Sequence, residues 1–364
     1  MIRFPLLFSI LLVLGGCFMD TMYSHIPNAV EMEPAIYALD GLNGPYDEFN
    51  AVAGPPPLAM DAFIAFASND ASQGGHFSID AGRIDILQNP YYKSRQKNPP
   101  LPTITARRLG AFVHIPDLPG NVRGPSALAP TATFSERYEH DFNGQPTQLL
   151  KLRRKPLPAA SHGELPPGGV WMFDSDHEGR RNLYFVDSTG RMQPFLGNDP
   201  QADDAYATYN QARGELYFCS NRDGKYRIYR YRYCNLENNF SAWLADTSQA
   251  QYIEPVPELD APGQTMAPFV YGDLMVFASD RPGGQGGFDL YLSRNNDGRW
   301  QPPVNIQKLM PPGVMVNTAD NEFRPSLLTL DFEDYHDLRV LLFSSDRPGG
   351  QGGYDLYLTA LPPL

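Results

Sequence analysis

Apolar residues along this chain gather in short runs closed by Gly, Pro, Asn and Asp, and beyond residue 17 none recurs with a sustained helical period. Two runs, Leu-Met-Val-Phe-Ala-Ser at 274–279 and Val-Leu-Leu-Phe-Ser-Ser at 340–345, are apolar on both faces and do not alternate strictly. Strands of that kind are covered on both sides. A Pro-Gly-Gly-Gln-Gly-Gly connection and a second apolar run follow each one, so each reads as a β-hairpin. The two hairpins are near copies: 277–292 reads FASDRPGGQGGFDLYL and 343–358 reads FSSDRPGGQGGYDLYL. Weaker copies lie at 66–79, 173–185 and 218–229, and a degenerate candidate at 134–152. Six hairpins result, centred near Phe66, Phe134, Phe173, Phe218, Phe277 and Phe343. Hairpins covered on both faces and repeated along a chain predict blades packed around an axis. The fold expected is all-β, a six-bladed β-propeller over residues 46–364.

The Phe-x-Ser-Asp-Arg-x-Gly…Asp-Leu-Tyr pattern of the last two repeats resembles the TolB-like propeller repeat, a relative of the WD-type repeat. The long Arg-Pro-Gly-Gly-Gln-Gly-Gly form is similar to that of cell-envelope proteins of the Bacteroidetes. The resemblance covers roughly 46–364 and is loose before Val170. It implies a binding or scaffold module with an envelope protein as partner. No peptidoglycan-binding OmpA-like domain and no helical repeat array accompanies it, so no particular machine is implied.

Ring closure poses a problem of its own. Trp300–Ile306 reads as the outermost strand of the fifth repeat, but after the sixth only Leu361-Pro-Pro-Leu364 follows, and proline cannot donate to a ladder. Tyr46–Val52 is expected to supply that strand beside Tyr354–Leu358, with residues 17–45 as a tether.

The N-terminus adds a location. Arg3 precedes an apolar run from Phe4 to Gly16, too short to span a bilayer comfortably and suited to a signal peptide of residues 1–16. The run ends in Leu14-Gly15-Gly16-Cys17, which resembles a lipobox and implies acylation of Cys17. More than one acyl chain makes anchoring stable. With no dense acidic run after the cysteine, the periplasmic face of the outer membrane is expected.

Composition narrows the chemistry. The 364-residue chain carries a net charge of −12, which argues against nucleic acid. Its 20 Tyr, 21 Phe, 35 Pro and 32 Gly suit short strands and tight turns. Basic or Pro-rich islands at 89–130 and 153–169 stand out in an acidic chain and read as loops. Cys219 and Cys234 would share a compartment where disulfides persist, but folding the hairpin places Cys219 opposite Ile228; a bridge and two free thiols stay open.

The glycine-rich turns lack the Lys-Ser/Thr and helix of a P-loop, and the glycines serve a hairpin that needs positive φ. Asp289 and Asp355 are expected to accept from turn amides or to pair with Arg281 and Arg347, with Asp280 and Asp346 completing the repeat turn. Asp174-x-Asp176-x-Glu178 resembles the start of a calcium loop, but the twelfth position is Phe185. No zinc spacing, no Gly-x-Ser-x-Gly motif and no cofactor fingerprint occurs, so neither metal, cofactor nor catalysis is expected. An alternative is a glycan-acting enzyme or glycan-binding lipoprotein, with Asp203, Asp204, Asp320, Glu322 and Arg324 at the channel mouth, or with Trp243 and Trp300 as exposed stacking surfaces.

Overall fold

The computed structural model describes residues 34–53, 62–87, 103–128, 138–140, 146–149, 165, 168–211, 213–232, 239–329 and 339–362. The putting together of strands follows the apolar runs: Leu274–Ser279 and its counterparts Val170–Ser175 and Glu215–Ser220 are buried along their whole length, as two-sided cover requires.

These strands build five antiparallel sheets, each formed around four consecutive positions from axis to rim. Their innermost strands are Glu48–Ala53, Val122–Leu128, Asp204–Asn210, Thr265–Tyr271 and Glu322–Thr329. Each packs beside the next, and the last returns to the first, so the ring is closed. The all-β propeller is therefore as expected, but among the described residues it has five blades and not six. The surplus repeat is the one near Phe134. Phe134 itself lies outside the described residues; Tyr138–His140 and Pro146–Leu149 form a separate two-stranded ribbon. That ribbon sits in the connection between Val122–Leu128 and Val170–Ser175, which pair directly with each other. It is an insertion within blade two. The Pro-rich island at 89–130 is likewise partly structural, since Thr103–Ala111 is the outermost strand of blade one.

Closure comes from the N-terminal side, by a different segment from the one expected. Tyr37–Ala38 pairs with the last strand, Tyr37 against Leu358 and Ala38 against Tyr357. Glu48–Ala53 instead forms the innermost strand of blade one, paired with Ala62–Ser68. The reason is visible in three asparagines. Asn198 and Asn317 each bond the backbone N–H and C=O of the third strand in their own blade, at Leu183 and Leu290. Asn43 makes the same two bonds to Leu356, 313 residues away. Residues 37–43 thus do for blade five what in-line segments do for blades two and four. Leu39 and Leu42 are buried with them, so residues 37–43, expected as part of a tether, belong to the propeller.

Trp300 and Val304–Asn305 do pair with the third strand of blade four as its outer edge. Cys219 lies opposite Ile228 and is a free, buried thiol; Cys234 is outside the described residues. The Cys219 sulfur accepts from the Ala267 N–H at 3.1 Å, and burial pushes the Cys219 pKa up to about 12.

One clasp recurs between blades. The residue before each innermost strand is Asp47, Asn121, Asp203, Gln264 or Asn321. In four blades it pairs reciprocally with the residue after the second strand: Asp47 with Asn69, Asn121 with Asp176, Asp203 with Asn221 and Asn321 with Asp346. Every pair joins one carboxylate to one carboxamide, which avoids two like charges at hydrogen-bond distance. The same side chains accept the N–H of a residue in the preceding blade, namely Tyr354, Phe77, Arg181 and Phe288. The carbonyls of these residues, and that of Tyr226, accept the first N–H of the next innermost strand at 2.7–3.0 Å.

Blades two and five place the amide first in the clasp, and blades one and three the acid. N321D would set two carboxylates face to face and is expected to cost about 1–3 kcal/mol of stability at neutral pH. Adding D346N restores the pairing in the order used by blades one and three, and should recover most of that loss in urea denaturation.

Candidate functional site

Every innermost strand carries a bulge at its third residue. Asn50, Gly124, Tyr206, Ala267 and Arg324 have φ of 61°, 58°, 57°, 52° and 44°, and the register with the second strand slips at each of them. Four of the five are not glycine, and each costs roughly 1–2 kcal/mol of backbone strain. The packed ring holds them there, and the bulges turn these five residues to one level of the axis.

Arg324 closes that level. It is 1 % exposed, and its guanidinium donates to the carbonyls of Pro268 (3.5 Å), Pro125 (3.3 Å) and Ala207 (3.3 Å). Each carbonyl follows the bulge of a different blade. Burial lowers the Arg324 pKa to about 10, and the carboxylate of Asp174 opposes that fall. The ring of Tyr206 lies between two guanidiniums, Arg324 at 5.3 Å and Arg181 at 4.1 Å from its centroid.

Above this floor the repeats can be aligned position by position. Ahead of each third strand stand Phe77, Arg181, Tyr226, Phe288 and Tyr354; second in each innermost strand stand Phe49, Arg123, Ala205, Met266 and Phe323. Near the end of each second strand stand Ala67, Asp174, Cys219, Ala278 and Ser344. The rule at these positions is aromatic, apolar or small, and blade two breaks it three times, with Arg123, Asp174 and Arg181. Arg181 Nε donates to Asp174 at 2.5 Å, which keeps the Arg181 charge despite burial. Arg123 lies over the Phe77 ring at 4.8 Å. Burial and the nearby Arg181 charge lower its pKa. Aromatic contacts complete the mouth: Phe49 packs on Phe77 and Tyr354, and Phe323 on Phe288 and Tyr206.

The residues singled out from sequence fall in several places. Arg324 is on the axis. Asp203 belongs to the clasp with Asn221, and its carboxylate also accepts the Arg181 N–H. Asp204 is buried against Arg222 at 2.8 Å, and Glu322 against Arg347 at 3.1 Å, Thr318 and Ser345. Burial raises the pKa of both carboxyls, and their arginines oppose the rise. Asp320 donates its backbone N–H to Thr318 Oγ1 and is partly exposed at the edge of that loop. The structure does not bring these four carboxyls together.

Asp289 and Asp355 accept from the turn amides of Gln285 and Gly286 and of Gln351 and Gly352, the first of the two expected arrangements. Their pairing with Arg281 and Arg347 does not occur. Those arginines stack on Phe277 and Phe343 and reach the head of the innermost strand, at Thr265 and Glu322. Asp280 accepts from the Gln264 N–H, and Asp346 from Asn321. In blade one Asp70 stands where the arginine should be, and Arg108 reaches in from the outermost strand to Glu48 instead. Trp243 and Trp300, expected as exposed surfaces, are 5 % and 2 % exposed and belong to the core. Asp176 is engaged by Asn121, and no group of metal-binding side chains occurs among the described residues.

Arg123, Arg181 and Tyr206 were not singled out from sequence, and Asp174 was named only in the run that resembles a calcium loop. The signal was present in the alignment of the weaker copies, as charges at positions where other blades place apolar or small residues.

No protein-family model matches the chain, and no curated protein matches it. Solved structures do. The TolB protein of Acinetobacter baumannii is 12 % identical, with 98 % of this chain and 71 % of that one covered and a TM-score of 0.32. An α-L-arabinofuranosidase of Podospora anserina is 9 % identical, with 92 % and 98 % covered and a TM-score of 0.42. Another, from Fusarium graminearum, is 12 % identical, with 91 % and 77 % covered and a TM-score of 0.34. The expectation that the chain catalyses nothing is therefore withdrawn: glycoside hydrolases stand among its structural neighbours, and the fold gives no ground for excluding catalysis.

Removing the partner of a buried charge is far costlier than the pair is worth. R347A should lose about 3 kcal/mol at neutral pH by leaving Glu322 unpaired. Its Glu322 pKa then rises further above the unfolded value, so the folded state takes up the proton first. The deficit should shrink as pH falls toward the carboxylate range, which denaturation at a series of pH values would show.

Proposed function

We propose that this chain is a lipid-anchored protein of the cell envelope, held at the periplasmic face of the outer membrane through Cys17, whose TolB-like propeller binds a ligand at the mouth of its axis. The observation that carries the binding site is the break in five-fold repetition: Arg123, Asp174 and Arg181 replace apolar or small residues where blade two meets the axis. A charge placed there serves no blade-to-blade contact that the other four blades need. Rigid walls held by the clasps give such a site a preformed shape, which lowers the ordering cost of binding. The anchor is supported by Phe4–Gly16 and Leu14-Gly15-Gly16-Cys17, which lie outside the described residues. The compartment is supported by the likeness of the Arg-Pro-Gly-Gly-Gln-Gly-Gly repeat to that of Bacteroidetes envelope lipoproteins.

C17S should release the protein from membranes into the soluble fraction; retention in the outer membrane at high salt would refute the anchor. A photoreactive residue in place of Tyr354, at the mouth, should give an adduct with an envelope component in cells. The same residue in place of Asp273, in the turn that leaves the far end of an innermost strand, should give none. Adducts from position 273 alone would place the ligand face at the wrong end.

A further inference from the structure

We propose that the mouth of the axis receives a uronate, a sugar bearing one carboxylate, and that Arg123 and Arg181 grip that carboxylate. The inference rests on the mouth being the ligand face and adds the class of ligand.

The Arg123 guanidinium makes no hydrogen bond and no ion pair among the described residues, although its Nε is buried. Arg181 spends its Nε on Asp174, and its Nη2 is buried without a partner. Guanidinium N–H groups taken out of water and left unpaired cost free energy, and planar carboxylate oxygens are the acceptors that match them. With the carboxylates of Asp174, Asp176 and Asp203 already beside these arginines, a ligand bearing one negative charge meets less repulsion than a phosphate dianion.

The surroundings favour a ring over a peptide. The N–H groups of four of the five rim residues, and the carbonyls of all five, are already used between blades. An extended peptide would find few main-chain donors to pair with. Side chains are what the rim offers. Phe77 and Tyr226 flank Arg181 in the order of the blades, and both are half-buried. Aromatic faces beside a few fixed polar groups are the usual lining of a small-ligand site.

The test is calorimetric titration of the purified chain with D-glucuronate, D-galacturonate, D-glucose, D-galactose and a tripeptide with a free C-terminus. At least one uronate should bind about tenfold or more tightly than its neutral sugar. R123Q should weaken that binding by about tenfold to a hundredfold. Because the Arg123 guanidinium holds no hydrogen bond or ion pair among the described residues and only stacks on Phe77, R123Q should melt close to the parent protein. Uronates binding no better than neutral sugars would overturn the proposal using the parent protein alone, whatever R123Q does. Uronate binding that R123Q leaves intact would also overturn it. A tripeptide that binds through Arg123 more tightly than either uronate would refute the sugar while leaving the mouth as the ligand face. Crosslinking from positions 354 and 273 decides the ligand face separately.

Discussion

The clasp between neighbouring blades is the interaction on which the rest of this propeller depends. Sheets packed face to face through apolar side chains can slide, because dispersion and burial have little direction. A hydrogen bond does not slide. At each junction a backbone carbonyl accepts from the first N–H of the next innermost strand, and in four of them an acid–amide pair takes up the N–H beside it. Registry between blades is thereby fixed at the mouth, and the five bulges below it are held at positive φ by a ring that cannot relax one member alone.

That rigidity explains where chemistry can be placed. Clasp positions are committed to architecture in four blades, and the first residue of the innermost strand answers an arginine in three, so Asp203, Asp204 and Glu322 are consumed by it. The freedom to differ lies with side chains that point into the axis without holding a neighbour. Blade two uses that freedom for charge, and blade three for Tyr206. An arginine such as Arg123, poorly solvated and unpartnered, is tolerated because the clasps carry the stability.

Much of this was legible in the amino-acid order. The glycine-rich hairpins at Phe277 and Phe343, the Cys219–Ile228 opposition and the edge strand after Trp300 all follow from local turn chemistry and apolar pattern. The blade number was not, because the segment near Phe134 has the apolar rhythm of a repeat while its ribbon pairs only with itself. The innermost strands were harder still. A bulge breaks the alternation of Glu48–Ala53, which reads as the ring-closing outer strand, and Val122–Leu128, with a proline after its bulge, falls within the island read as a loop. Carboxylates near them then resembled a site, when Asp204 and Glu322 answer Arg222 and Arg347 within their own blades and Asp203 answers Asn221. Tryptophans looked available for stacking because composition does not say which face of a strand or helix is covered.

The closure through Tyr37 and Asn43 sets a schedule for folding. Asn43 and Leu356 are 313 positions apart, so the bonds that shut the ring join nearly the first described residues to nearly the last. Joining ends so distant is slow relative to forming a hairpin, and the loop entropy is recovered only when every blade between them is in place. On a ribosome or a translocation pore, residues 37–43 emerge hundreds of residues before their partner exists. For that interval blade one has no neighbour on its open side, and Leu39 and Leu42 have no core to enter. Such a chain is a natural client for a holding chaperone until synthesis is complete.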